Sequence, residues 1–148
     1  MQSITDGMLH HHKHCDDEFA AAEEAAHQAD WTHCQAAFGR FRKSMEGHFQ
    51  TEETILFPAF EQRSGMVGGP TEVMRTEHAQ MRGLLAQMET ALKARDKKGF
   101  GGAAETLLVL MQQHNMKEEN ILYPMCDQAL GGETQLLQKI AEALEANA

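Results

Sequence analysis

The stretch HFQTEETILFP, residues 48–58, decides the fold of this chain because it occurs twice. It returns as HNMKEENILYP, residues 114–124, with every position displaced by 66 residues. The same displacement carries His12 onto His78 in the segments that precede the two stretches. The first half of the chain therefore resembles the second. Two similar pairs of helices can pack about a pseudo-two-fold axis, and residues near that axis then face their counterparts.

Hydrophobic periodicity predicts that both halves are helical. Apolar residues recur every three or four positions between glycine-containing breaks, and no segment alternates as a strand would. Short connections between long helices are typical of antiparallel neighbours. The sequence therefore predicts an all-α, antiparallel up-down four-helix bundle of two repeated hairpins, with a shorter C-terminal helix. The predicted helices cover roughly residues 4–27, 31–62, 71–94, 102–129 and 134–146, the glycines at 99–102 marking the break before the fourth.

Length and composition limit the possible functions. The 148 residues fit one domain, residues 1–148, and the chain carries 13 basic against 22 acidic residues, a net charge of −9. An acidic chain is a poor partner for nucleic acids or anionic membranes, and no apolar run is long enough to cross a bilayer. Three cysteines without CxxC spacing predict no disulfide framework. We therefore expect a cytoplasmic protein without nucleic-acid or membrane partners.

The inward stripes of the predicted bundle carry histidine and glutamate where leucine is expected. On the second and fourth helices a glutamate follows an inward histidine by four residues, which puts both side chains on one face, one turn apart. A buried carboxylate without a partner is costly. Four imidazoles and two carboxylates at one depth would balance two cations, and this ligand mixture suits iron or manganese, with zinc possible. The candidate metal ligands are His12, His48, Glu52, His78, His114 and Glu118.

The first helix contains a cluster of histidines, of which one is selected as a ligand. His12 lies on the apolar stripe and is the repeat counterpart of a second candidate ligand, His78. For His10, His11 and His14, the neighbours of His12 in the sequence, we expect exposure to solvent.

Glu53 and Glu119 each lie five residues after a candidate histidine, which turns them off the inward stripe in a regular helix. The stripes are expected to continue instead through Ile55 and Ile121. A local helix bulge would bring Glu119 inward, and Glu119 could then replace Glu118 as a ligand.

These residues resemble the pattern of the hemerythrin-like family, also called the HHE cation-binding domain. That pattern is a histidine on helix one, HxxxE on helix two, a histidine on helix three and HxxxE on helix four, and the resemblance covers almost the whole chain. It implies a non-haem di-iron centre with an oxo or hydroxo bridge, both glutamates bridging the two irons. One iron would be held mainly by His12 and His48, the other by His78 and His114.

Two positions depart from oxygen-carrying hemerythrins. Those proteins have a fifth histidine one turn before the helix-three ligand, where this chain has Met74, and an aspartate where this chain has Glu119. The four-histidine, two-glutamate set instead resembles di-iron proteins implicated in nitric-oxide stress and iron–sulfur cluster repair. Each iron would then keep an exchangeable position, with Met8 and Met74 as apolar walls.

Three functions fit the resemblance. The first is a di-iron protein that handles O2, NO or peroxide, in oxygen or NO sensing or in the response to oxidative or nitrosative stress. The second is a di-iron redox enzyme of peroxidase-like, NO-reducing or iron–sulfur-repair type, and the third is a plain metal-binding module. A ferritin-like oxidase is disfavoured, because none of the candidate histidines has a glutamate three residues before it. The sequence assigns no catalytic residue and no oligomeric state.

Overall fold

The computed structural model describes residues 1–146, and the elements in that range are helical. None of the described helices is long and apolar enough to cross a bilayer. The predicted all-α bundle of two hairpins with a short C-terminal helix is confirmed, although two of its long helices pass through a π-helical segment. In chain order the elements are α1 (Ile4–His27), α2 (Trp31–Thr51), the first π segment (Glu52–Leu56), α3 (Phe57–Ser64), α4 (Pro70–Lys93), α5 (Lys97–Lys117), the second π segment (Glu118–Leu122), α6 (Tyr123–Leu130) and α7 (Thr134–Ala146).

The sequence repeat is also a structural repeat, down to the turns inside each hairpin. Ala29 and Arg95, which are 66 residues apart, both adopt left-handed backbone conformations, with φ of 56° and 53°. The residues that follow them, Asp30 and Asp96, cap the next helix. The side chain of each accepts a hydrogen bond from the backbone N–H three residues later, that of His33 and that of Gly99. Equivalent turns orient α1 against α2 and α4 against α5 in the same way.

The predicted start of the fourth helix at residue 102 is wrong, because α5 begins at Lys97. The glycines of residues 99–102 lie inside the first turns of this helix. A glycine in a helix costs about 1 kcal/mol relative to alanine. Phe100 is fully buried between them, which contributes about 1.5–3 kcal/mol, and the Asp96 cap adds to it. Packing and capping therefore extend the helix through residues that disfavour it locally.

A polar layer divides the interior of the bundle into two apolar cores. One core lies toward the hairpin turns and contains aromatic residues such as Phe38, Phe41 and Phe100. The other lies toward the opposite end, where α7 packs against α1 and α2 and contributes Leu137 and Ile140. The side chains of the polar layer are thus enclosed along the bundle axis on both sides.

Candidate metal centre

The structure brings the six candidate ligands together in the polar layer, and none is more than 5% exposed. They come from α1, α2, α4 and α5 and from the first residue of each π segment. Each imidazole directs its Nε2 atom toward a glutamate. The Nε2-to-carboxylate distances are 3.0 Å for His78 to Glu52, 3.2 Å for His114 to Glu118, 3.2 Å for His12 to Glu118 and 3.5 Å for His48 to Glu52.

The potential ligand atoms form two overlapping groups, in each of which all atoms lie within 4.8 Å of one another. Glu118 belongs to both groups, so its two oxygens can serve two neighbouring cations. The first group contains Glu52, His78, His114 and Glu118, and the second contains His12, His48 and Glu118.

Buried polar atoms without a hydrogen bond show that this layer fits a cation. Among residues 1–146, the unpaired atoms include Nε2 of His78 and His114 and one carboxylate oxygen each of Glu52 and Glu118. A buried polar group left unsatisfied costs about 1–3 kcal/mol. Metal coordination would use these lone pairs, and mixed imidazole and carboxylate donors suit iron, manganese or zinc.

Without a metal, protons balance the buried carboxylates. Burial by itself lowers the pKa of His12, but its hydrogen bonds to Glu118 and Glu119 raise that pKa to about 10. Burial would likewise raise the pKa of Glu52, yet the charge of His48 and the surrounding hydrogen bonds hold it well below its usual range. Metal binding at this layer therefore has to displace protons from histidine.

A second set of contacts fixes the outer nitrogen of each imidazole. For three of the four histidines the partner of Nδ1 is a glutamate, which orients the ring and strengthens it as a donor. One of these glutamates, Glu53, is itself held by two 2.9 Å hydrogen bonds from Arg82. The Nδ1-to-carboxylate distances are 2.6 Å for His12 to Glu119, 2.8 Å for His78 to Glu53 and 2.8 Å for His114 to Glu77.

The π segments explain how two consecutive glutamates can face different directions. In each segment a backbone N–H reaches back five residues, from Phe57 to Glu52 and from Tyr123 to Glu118. Glu118 stays in the layer, fully buried, while Glu119 contacts His12 from outside and does not take the place of Glu118. Glu53 and Glu119 thus lie off the inward stripe, as expected, but contact the outer nitrogens of His78 and His12.

The same wider turn shifts the inward face by one residue beyond each glutamate pair. Leu56 and Leu122 are buried, whereas Ile121 is 57% exposed and Ile55 is half-buried. The expectation that the stripes continue through the two isoleucines is therefore wrong.

His48 differs from the other three histidines because its Nδ1 atom contacts another histidine. Nδ1 of His11 lies 2.8 Å from it, and His11 is only 4% exposed. The expected exposure of His11 is wrong, while His10 is exposed and His14 is half-buried. Burial and the neighbouring histidines lower the pKa of His11 to about 3, so its ring is neutral. The repeat carried a signal for this residue, since the 66-residue displacement carries His11 onto Glu77.

Tyr123 also belongs to the site, although it is not among the six candidate ligands of the sequence pattern. Its hydroxyl lies 2.7 Å from Glu52 Oε2 and 2.8 Å from Glu118 Oε1, two acceptors for its one proton, and it lies 3.1 Å from His12 Nε2 and 3.2 Å from His48 Nε2. Burial and the two carboxylates raise the pKa of Tyr123, so without a metal it is a phenol. Its hydroxyl lies at the centre of the layer.

Comparison with known families agrees with this geometry. The family model described as the hemerythrin HHE cation binding domain matches residues 3–126. The chain belongs to this family. Searches of curated proteins and of solved structures found no match. The hemerythrin match spans the whole polar layer and ends within α6, so α7 lies outside it.

Proposed function

We propose that this hemerythrin domain holds two iron ions between its hairpins and uses them to handle a small ligand, O2, NO or peroxide. The observation that carries the proposal is that four imidazoles converge through Nε2 on two buried carboxylates, while partners fix their Nδ1 atoms outside. Bound iron would supply one-electron redox chemistry and open coordination positions. His12 and His48 would hold one ion and His78 and His114 the other, with Glu52 and Glu118 between them.

The enclosure of the polar layer supports a small, weakly polar ligand. Apolar cores lie on both sides of it, and its six candidate ligands are at most 5% exposed. Met8 and Met74, one turn before His12 and His78, are buried in the core on the α7 side. Thioether groups exclude water and offer no hydrogen-bond donor. O2 and NO fit such surroundings better than a larger or strongly hydrated molecule.

A redox enzyme of peroxidase-like or NO-reducing type is the second candidate. Met74 stands where a fifth imidazole would otherwise complete one iron, so both ions would keep an exchangeable position. Two open irons favour reduction of the ligand over its reversible storage, because both can donate electrons to it. A role in oxygen or NO sensing, or in the response to oxidative or nitrosative stress, is compatible with either chemistry.

Metal analysis combined with spectroscopy tests the proposal. We expect protein from iron-supplemented cells to contain about two irons per chain, and the reduced protein to change its visible spectrum on exposure to air and, separately, to NO. Glu118→Gln should lower the iron content, whereas the control Glu105→Gln, at an exposed position of α5, should not. Iron well below two per chain in the unmodified protein, under conditions of excess iron, would refute the di-iron assignment. A spectral response to NO alone, or to O2 alone, would identify the ligand.

A further inference from the structure

We propose that Tyr123 is a metal ligand, whose phenolate oxygen binds the ion held by His12 and His48. This inference rests on the proposed function, because it requires a metal ion on that side of the polar layer.

The position of the hydroxyl is the first argument. It lies 2.7–3.2 Å from two imidazole nitrogens and two carboxylate oxygens that face the interior of the layer. Within residues 1–146 the histidines in hydrogen-bond contact with it are His12 and His48, and not His78 or His114. The oxygen of Tyr123 therefore contacts the two imidazoles of one half of the layer and both of the buried carboxylates.

The unequal composition of the two ligand groups is the second argument. The group around His78 and His114 contains two carboxylates, whereas the group around His12 and His48 contains one, Glu118. The phenolic oxygen of Tyr123 would add a second oxygen donor to this group.

The outer contacts point in the same direction. Nδ1 of His114 contacts a carboxylate, Glu77, whereas Nδ1 of His48 contacts the ring of His11. A carboxylate partner raises the basicity of a ligating imidazole. His48 lacks such a partner, and an anionic oxygen near its Nε2 would compensate for that.

Of the two repeats in the sequence, only the second has a hydroxyl at this aromatic position. The counterpart of Tyr123 is Phe57, which is fully buried and stacks on His78 with ring centroids 5.9 Å apart. The aromatic ring is thus what the fold requires at both positions. The hydroxyl is an addition beside the ligand group that contains fewer carboxylates.

The coordination step is a substitution of a proton by the metal. The O–H bond of Tyr123 breaks, an oxygen–iron bond forms and the proton passes to solvent, without a change in the oxidation state of iron.

The chain contains one tyrosine, which makes a decisive experiment possible. Any phenolate signal from the iron(III) protein has to come from Tyr123. We expect a visible phenolate-to-iron(III) charge-transfer band with resonance-enhanced ring vibrations in Raman spectra. Both should disappear in Tyr123→Phe, which introduces the residue that already occupies the counterpart position. Iron content of both proteins is measured in the same samples.

The outcomes separate this inference from the proposed function. If the unmodified protein binds iron(III) but gives neither signal, Tyr123 is not a ligand, and the proposed function stands. Persistence of the band in Tyr123→Phe would also refute the inference. If the unmodified protein binds no iron, the proposed function fails and the inference with it. If Tyr123→Phe does not fold, the Raman spectrum of the unmodified protein still decides, because there is no second tyrosine.

Discussion

Replacing His11 by alanine should lower the affinity of the protein for one of the two proposed metal ions and leave its affinity for the other unchanged. His11 is buried, and its Nδ1 atom lies 2.8 Å from Nδ1 of His48. When His48 binds a metal through Nε2, its Nδ1 atom carries the proton and donates it to His11. Alanine removes this acceptor, so the N–H of His48 is left unpaired in the interior and its ring is no longer held in orientation.

The expected loss follows from the general behaviour of such contacts. Removing the outer partner of a ligating histidine typically costs about 10–100-fold in metal affinity, which corresponds to about 1.4–2.7 kcal/mol. The ion on the other side should keep its affinity, because His78 and His114 retain Glu53 and Glu77 as partners. Metal binding should therefore separate into a tight and a weakened step.

Chelator competition measures the two steps directly. His11→Gln keeps a hydrogen-bonding group beside His48 and should recover most of the affinity. His10→Ala, at the exposed neighbouring position, is the matched control and should bind like the unmodified protein. If the affinities of His11→Ala and His10→Ala agree within about twofold, well below the loss of at least tenfold expected for an outer partner, the contact does not act on the metal and this reasoning is wrong.

Four further outcomes are expected. His12→Ala should lose iron while His14→Ala keeps it, as measured by elemental analysis; a His14→Ala protein without iron would contradict the ligand assignment. Removing the metal should lower the thermal midpoint, because Glu52 and Glu118 lose their cation; equal midpoints would argue against a buried cation. In the metal-free protein the pKa of His12 rises from 6.5 to about 10, so the folded state binds more protons in this interval. The stability that this proton contributes is complete below pH 6.5 and is lost toward pH 10, which denaturant unfolding at both ends can test. The unmodified diferrous protein should autoxidise in air, and Met74→His should move it toward reversible O2 binding; stopped-flow spectra of a stable, vacuum-reversible O2 complex in the unmodified protein would restore the oxygen-carrier interpretation.

The sequence could predict which face of each helix lies in the layer. His48 and Glu52 are four residues apart, and the regular helix extends through α2 up to the first π segment, so their phase is that of an ideal helix. The same holds for His114 and Glu118 at the end of α5. His12 was selected by its stripe and its repeat counterpart, and the structure places it in the same layer.

The π segments could not be derived from periodicity, because they change the register only over one turn. A shift of one residue moves burial from Ile55 to Leu56, which are equally apolar, so the composition gives no signal. Proline follows each segment, at Pro58 and Pro124, and removes a backbone donor there. The sequence shows that a proline follows each glutamate pair, but only the backbone conformation shows that a π segment precedes each proline.

His11 was missed for a different reason. Residues 11 and 12 are adjacent, so a single inward stripe can include only one of them. In the folded bundle α1 packs against α2 on one side and against α5 and α6 on the other. The buried surface of α1 is therefore wider than one stripe, and it takes in both His11 and His12.

The contacts through Glu53 and Glu119 cross from one hairpin to the other, so each half of the chain depends on the other half for the orientation of one histidine. Glu53 of the first hairpin orients His78 of the second, and Glu119 of the second orients His12 of the first. An isolated hairpin would contain half of the six candidate ligands. It would also lack the glutamate that orients one of its two ligand histidines. Cutting the chain in the connection at residues 65–69 should thus give two fragments that recruit metal only as a reunited pair. The metal content of such fragments would therefore report whether the two hairpins have associated.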